Sequence, residues 1–157
     1  SPKELLIRTN ALLHKYIDKN SFISVVSANI NLNENIIKVA RGGHLPVFMY
    51  SAAEKRVIEI KPKGLILGVS SADFFSSNIE EETVPIASGD ILLFATDGAI
   101  EARSGTDEFG TERLKALISH FKYLAPRDLL QHILLEVNRF CNSSVGDDLT
   151  LVIVKIA

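Results

Sequence analysis

Two apolar runs that abut acidic residues constrain this chain more than any other feature. Ile91-Leu92-Leu93-Phe94-Ala95-Thr96 leads into Asp97-Gly98, and Gly146-Asp147-Asp148 opens Leu149-Thr150-Leu151-Val152-Ile153-Val154. Both runs fall well short of the roughly 20 apolar residues that a membrane-spanning helix needs. A short apolar run bounded by turn residues fits a strand buried on both faces. Asp97 then stands at the carboxyl end of one strand and Asp147 at the amino end of another. Antiparallel pairing of those strands brings the two ends side by side. Gly98 is expected to let the chain turn sharply after Asp97. Two carboxylates that meet repel each other unless a cation or a proton lies between them. The residues therefore point to a site for a hard divalent cation, with Asp97 and Asp147 as ligands. Mg²⁺ and Mn²⁺ prefer such oxygen donors. A pair of these ions can activate water and clamp a phosphoryl group. Asp-Gly alone is a common turn pair, so the inference rests on the combination.

Bulk properties narrow the classes. The 157 residues suit one domain, and 46% hydrophobic residues supply a core. A formal net charge of −2, with no long basic run, argues against a nucleic-acid surface. The single cysteine, Cys141, allows no intrachain disulfide and fits a reducing compartment such as the cytoplasm. The absence of a signal-peptide pattern agrees with a cytoplasmic domain, although the intact protein can carry a membrane anchor elsewhere.

Taken in order, residues 1–18 are predicted to form a helix. Ser1 is its N-cap, Pro2 takes the first helical position and Glu4 completes a capping box. Leu6, Leu13 and Ile17, flanked by Leu5, Leu12 and Tyr16, form its apolar stripe. Residues 22–30 and 36–40 read as a hairpin around an Asn-rich turn, with further strands at 47–50 and 56–60. Residues 61–78 read as loop. Residues 79–86 read as an edge strand blunted by Glu80, Glu81 and Glu82. After the strand at 91–96, one helical turn is expected at 99–103 and a loop at 105–110. A helix capped by Thr111 follows, with Leu114, Leu117, Ile118 and Phe121 on its apolar face. A second helix begins at Pro126, with Leu129, Leu130, Ile133, Leu134 and Val137 inward. Strand 149–156 closes the chain. Hairpins with helices early and late give an α+β pattern of antiparallel sheets covered by helices.

The remaining reactive side chains read as structural. His14, His120 and His132 lie on predicted helices, and no two of the four histidines stand at ligand spacing. His44 sits in the glycine loop Arg41-Gly42-Gly43-His44, where a ring nitrogen can bond nearby backbone. Cys141 has no evident base partner and reads as inert.

Several segments together resemble one family. Thr96-Asp97-Gly98, Glu101-Ala102-Arg103 and Phe109-Gly110 are similar to the T-D-G-x-x-E-A-R … F-G signature of SpoIIE-type bacterial phosphatases, in the metal-dependent (PPM, type 2C-like) superfamily. Asp147-Asp148-Leu149-Thr150 matches the closing D-D-[IL]-T motif. Ala40-Arg41-Gly42-Gly43-His44-Leu45-Pro46 resembles the A-x-A-G-H-x-P segment. Gly64-Leu65-Ile66-Leu67-Gly68 resembles the G-x-P-L-G loop, with Ile66 in place of proline. Gly89-Asp90 matches the G-D before the central strand.

The resemblance implies a protein serine/threonine phosphatase that uses Mn²⁺ or Mg²⁺ in a two-metal site. Its fold would be an α-β-β-α sandwich of antiparallel sheets. Asp97 and Asp147 would be metal ligands and Asp148 a neighbouring polar residue. Substrates of such domains are phosphoserine or phosphothreonine on STAS-domain anti-sigma-factor antagonists, and a sensor or receiver domain commonly lies upstream. The family's G-G-D-x-x-D and G-D-x-x-G-x-G segments have no counterpart here. Residues 1–157 are thus expected to be the carboxyl-terminal two-thirds of one phosphatase domain, N-terminally incomplete. Alone, such a chain is expected to bind metal weakly and catalyse poorly. Its open sheet edges favour self-association, with a homodimer as one outcome. Two other readings stand beside this one: a non-catalytic phosphatase-like binding module, and a plain α+β domain whose acids only end strands.

Overall fold

The first helix, α1 (Pro2–Tyr16), begins as the capping residues require. The Ser1 hydroxyl accepts the Glu4 N–H at 3.3 Å, and Pro2 occupies the first turn. A second partner serves the same end: the Lys3 N–H donates to the Glu81 carboxylate at 3.0 Å. Burial alone would push the Glu81 carboxyl up. The bonds from Lys3 and the Ser1 hydroxyl, helped by the Lys38 charge, hold it below its usual range. The computed structural model describes residues 1–18, 20–141 and 148–157. They fall into two compact units, Ser1–Pro46 with Ile60–Ile86, and Val47–Glu59 with Ala87–Ala157.

In the first unit, strands β1 (Val25–Asn31) and β2 (Ile36–Gly42) form the expected hairpin, with Ala28 opposite Val39. Strand β5 (Glu81–Pro85) joins β2 antiparallel, giving the order β1-β2-β5. Glu81 and Glu82 therefore do lie on an outer strand. The core here joins Leu6, Ala40, Leu67, Phe75 and Ile79. Phe75 belongs to helix α2 (Ala72–Ser77), a segment the sequence pattern assigned to loop. Six residues are too few to show a helical period, but Ser71 caps them by accepting the Phe74 N–H. The predicted stripe on α1 is only partly inward. Leu6 is buried, whereas Leu5, Leu12 and Tyr16 are exposed.

In the second unit, strands β3 (Val47–Ser51), β4 (Arg56–Ile60), β6 (Ile91–Ala95) and β9 (Leu151–Lys155) form a sheet in the order β4-β3-β6-β9. Ile91, Leu92 and Leu93 are essentially inaccessible, as a strand covered on both faces demands. Asp90, just before β6, is a buried carboxylate. It accepts the Ala52 and Ala87 N–H groups, both at 2.8 Å. Helices α3 (Gly110–His120) and α4 (Pro126–Phe140) bury Leu114, Ile118, Leu129, Ile133 and Val137, all from the predicted faces. The expected Thr111 cap is absent, because α3 already starts at Gly110 after an N-cap residue, Phe109, with no side-chain bond. The predicted loop at 105–110 contains a small hairpin, β7 (Arg103–Ser104) with β8 (Asp107–Glu108), closed by an Arg103–Glu108 ion pair at 2.6 Å. The whole is the mixed α+β fold of antiparallel sheets and helices that the pattern implied.

Candidate metal centre

The antiparallel pairing on which the two-acid reading depends is present. Strands β6 and β9 run antiparallel with Ala95 opposite Leu151. The pairing continues one step further, where the Thr96 N–H donates to the Thr150 carbonyl at 3.0 Å. The end of β6 and the start of β9 are therefore adjacent at one edge of the sheet. Asp97 and the Asp148–Thr150 segment meet there. Asp147, the second predicted ligand, lies outside the described residues.

Asp97 is exposed and opens a 3-10 turn, Asp97–Ala99. Its carbonyl accepts the Ile100 and Glu101 N–H groups at 2.9 and 2.8 Å. This turn replaces the helical turn predicted at 99–103, because the chain must double back at once into the β7–β8 hairpin. Gly98 is buried inside this turn, which it takes without a left-handed backbone. Its N–H holds Asp97 Oδ1 at 3.1 Å. That one bond orients the carboxylate while Oδ2 accepts no hydrogen bond among the described residues.

The Thr96 hydroxyl is a contact the sequence did not single out. It accepts the Thr150 N–H at 2.8 Å and donates to the Asp148 carbonyl at 2.9 Å. The strand-end backbone of β9 is thereby tied to the residue immediately before Asp97. Asp148 is also exposed at this edge. Among the described residues no three His, Cys, Asp or Glu side chains form a metal-holding group. The pairing brings two exposed acids, Asp97 and Asp148, to this edge. That chemistry fits a hard cation that retains part of its water shell.

The histidines take structural places. His14 Nδ1 lies 3.1 Å from the Gly68 carbonyl, and His132 stacks on Phe121 at 4.5 Å with His120 edge-on at 4.7 Å. His44 Nδ1 pairs with the Ser24 hydroxyl at 3.1 Å, rather than with backbone. The Arg41 guanidinium binds the His44 and Pro62 carbonyls, and burial lowers its pKa. Cys141 is buried, its Sγ 3.7 Å from the Asn138 carbonyl, as an inert thiol should be.

This mixed fold matches known proteins over the whole chain. Residues 1–157 match the family model described as Stage II sporulation protein E (SpoIIE). The chain belongs to that family. It is 24% identical over 154 residues to the phosphoserine phosphatase RsbU of Bacillus subtilis (strain 168), covering 98% of this chain and 45% of RsbU. It thus spans less than half the length of that curated relative. Among solved structures, the SiaA-PP2C domain of Pseudomonas aeruginosa superposes with a TM-score of 0.84 at 13% identity, over 99% of this chain and 61% of that one. The Mn-presoaked phosphatase domain of the cell fate determinant SpoIIE from Bacillus subtilis gives 0.65 at 20% identity, over 99% and 67%. These likenesses establish a PP2C-like fold.

Proposed function

We propose that this chain carries part of the active site of a metal-dependent protein serine/threonine phosphatase, with Asp97 and Asp147 as metal ligands. The observation that carries the reading is the β6–β9 pairing, which sets Asp97 beside the segment that follows Asp147. Mn²⁺ or Mg²⁺, when bound, supplies Lewis-acid stabilisation of the phosphoryl oxygens and activation of a water. Asp97 offers the ion an exposed carboxylate whose orientation Gly98 fixes. Asp147, which precedes Asp148 in the sequence, would offer a second carboxylate, with Asp148 as its polar neighbour.

The relative's name, phosphoserine phosphatase RsbU, supports phosphoserine as the substrate class. The proposed substrate is a phosphorylated partner protein, such as a STAS-domain anti-sigma-factor antagonist, with a sensor or receiver domain upstream governing the reaction in the cytoplasm. Residues 1–157 are read as the carboxyl-terminal two-thirds of such a domain, and the 67% of the SpoIIE phosphatase-domain chain that is matched agrees with that extent. The remaining third would then supply further ligands, so the chain alone turns over slowly. The test is phosphate release from a phosphoserine-bearing STAS domain, by this chain and by a version extended upstream, in Mn²⁺ and in EDTA. Release that requires Mn²⁺ and is faster in the extended version supports the proposal. No release from either version turns the reading to a phosphatase-like binding module.

A further inference from the structure

We propose that Thr96 is a positioning residue for the metal site, holding the two acid-bearing segments in register before any ion arrives. The inference rests on the reading of Asp97 and Asp147 as ligands. Thr96 is not itself a ligand in this reading. Its hydroxyl bridges the strands: it accepts the Thr150 N–H at 2.8 Å and donates its one proton to the Asp148 carbonyl at 2.9 Å. The Thr150 carbonyl, at 3.5 Å from the same oxygen, is the weaker alternative for that proton. Beyond Ala95 and Leu151 the regular ladder stops, and one further backbone bond, Thr96 N–H to Thr150 carbonyl, continues it. The side chain takes over where the backbone ladder ends. Three bonds then converge on residues 96 and 148–150, next to Asp97 on one side and on the segment that follows Asp147 in the sequence on the other.

The chemistry requires this residue type. A hydroxyl donates and accepts at once, so one oxygen can satisfy an N–H and a carbonyl on the same neighbouring strand. Valine has the same shape and β-branching but neither capacity. Without the clamp the start of β9 frays, and part of the ion's binding energy goes into ordering it. The penalty falls on metal affinity, and the substitution leaves the liganding atoms in place.

The test is a Mn²⁺ titration of the ¹⁵N-labelled chain followed by paramagnetic broadening of amide resonances, which registers weak binding without turnover. In the wild type the Gly98 and Thr150 amides are expected to broaden together. In Thr96→Val the midpoint is expected to rise about tenfold, equivalent to about 1.4 kcal/mol. Thr96→Ser, which keeps the hydroxyl, should stay within about twofold of wild type. If Thr96→Val does not fold, Thr96→Ala is read in its place. A purely structural role would lower the melting temperature and leave the midpoint, measured far below melting, unmoved; that result overturns the proposal. Asp97→Asn separates the two levels of the argument. Loss of broadening in Asp97→Asn with an unmoved Thr96→Val midpoint sinks the positioning role alone. No localised broadening in the wild type sinks the metal-site reading and this inference with it.

Discussion

Gly64→Ala is expected to be among the most destabilising single-methyl additions in this chain. A Cβ built on Gly64 would lie 1.5 Å from the Arg41 carbonyl oxygen and 2.7 Å from the carbon that bears it. An ordinary carbon–oxygen contact is roughly 3.3 Å, so the two backbones must separate by nearly 2 Å. Neither partner is a flexible side-chain tip. The move strains the bond from Arg41 Nε to the Pro62 carbonyl at 3.3 Å and the bond from the Glu80 N–H to the Lys63 carbonyl at 2.8 Å. It also pulls at Leu67, which is 1% exposed in the core beside Leu6 and Phe75. Two hydrogen bonds at about 1 kcal/mol each and partial loss of one leucine's burial at about 1–2 kcal/mol total about 3–4 kcal/mol. Stiffening of the unfolded chain offsets about 0.5 kcal/mol of this. For a chain of this size the net corresponds to a melting point lower by about 10 °C. Gly105→Ala is the matched control. Unlike Gly64 it takes a left-handed backbone, at φ +62°, but no atom lies within 4 Å of its added carbon. Its expected cost is about 1 kcal/mol. Calorimetric melts of the two variants decide the matter. A Gly64→Ala protein that melts within about 2 °C of wild type, or above Gly105→Ala, would refute the reasoning.

Three further outcomes are expected. Lys115 Nζ lies 2.5 Å from Glu59 and 3.0 Å from Glu112, and these carboxylates, Glu59 foremost, raise its pKa above the ordinary lysine value. A raised folded-state pKa gives stability that is fully present below the unfolded value of about 10.4 and lost as pH rises through the folded one. Melts from pH 9 to 11.5 should therefore show a loss of about 0.5–1 kcal/mol that is missing in Lys115→Met. Asp90→Asn turns one acceptor of a buried pair of N–H bonds into a donor, and should lower the urea midpoint by an amount worth about 1–3 kcal/mol. Strand β1 is an outer strand among the described residues and carries no charge from Val25 to Asn31. An apolar groove of about 300 Å³ runs beside it, lined by Leu5, Leu13, Ile23 and Val25 among others. Neutral strands meet their own copies without like-charge repulsion, so sedimentation should show concentration-dependent self-association that Ser27→Lys weakens.

What the sequence showed and what it hid divide along a physical line. Strand β6 was legible because burial on both faces leaves an unbroken apolar run, β9 because its apolar run is just as unbroken although Val152 on this outer strand is half exposed, and α4 because Leu129, Ile133 and Val137 repeat at helical spacing. The adjacency of Asp97 to the Asp148 segment followed from assuming antiparallel pairing. Helix α2 was hidden because its six residues lack a period and follow Gly64 and Gly68, which read as loop. The β7–β8 hairpin was hidden because two-residue strands have no alternation, and its Arg103–Glu108 pair depends on a register set by tertiary structure. Leu5 and Leu12 misled for the opposite reason. Their spacing is that of a buried stripe, yet both are exposed. Thr96 was read only as part of the Thr96-Asp97-Gly98 segment, and its bridging role was hidden because a β-branched residue at a strand end needs no special explanation. Only the observed register reveals that its hydroxyl crosses to the other strand.

The most direct measurement of the central claim is Mn²⁺-dependent hydrolysis of p-nitrophenyl phosphate by an upstream-extended protein, compared with its Asp97→Asn and Asp147→Asn variants. Both acids act as ligands in this account, so each substitution should lower turnover at saturating substrate by at least about 100-fold, on the scale of losing one strong electrostatic contact in a transition state. Each should also raise the Mn²⁺ concentration needed for half-maximal rate. Full activity in Asp97→Asn, with an unchanged Mn²⁺ requirement, would contradict the account and return Asp97 to the role of an ordinary strand-ending acid.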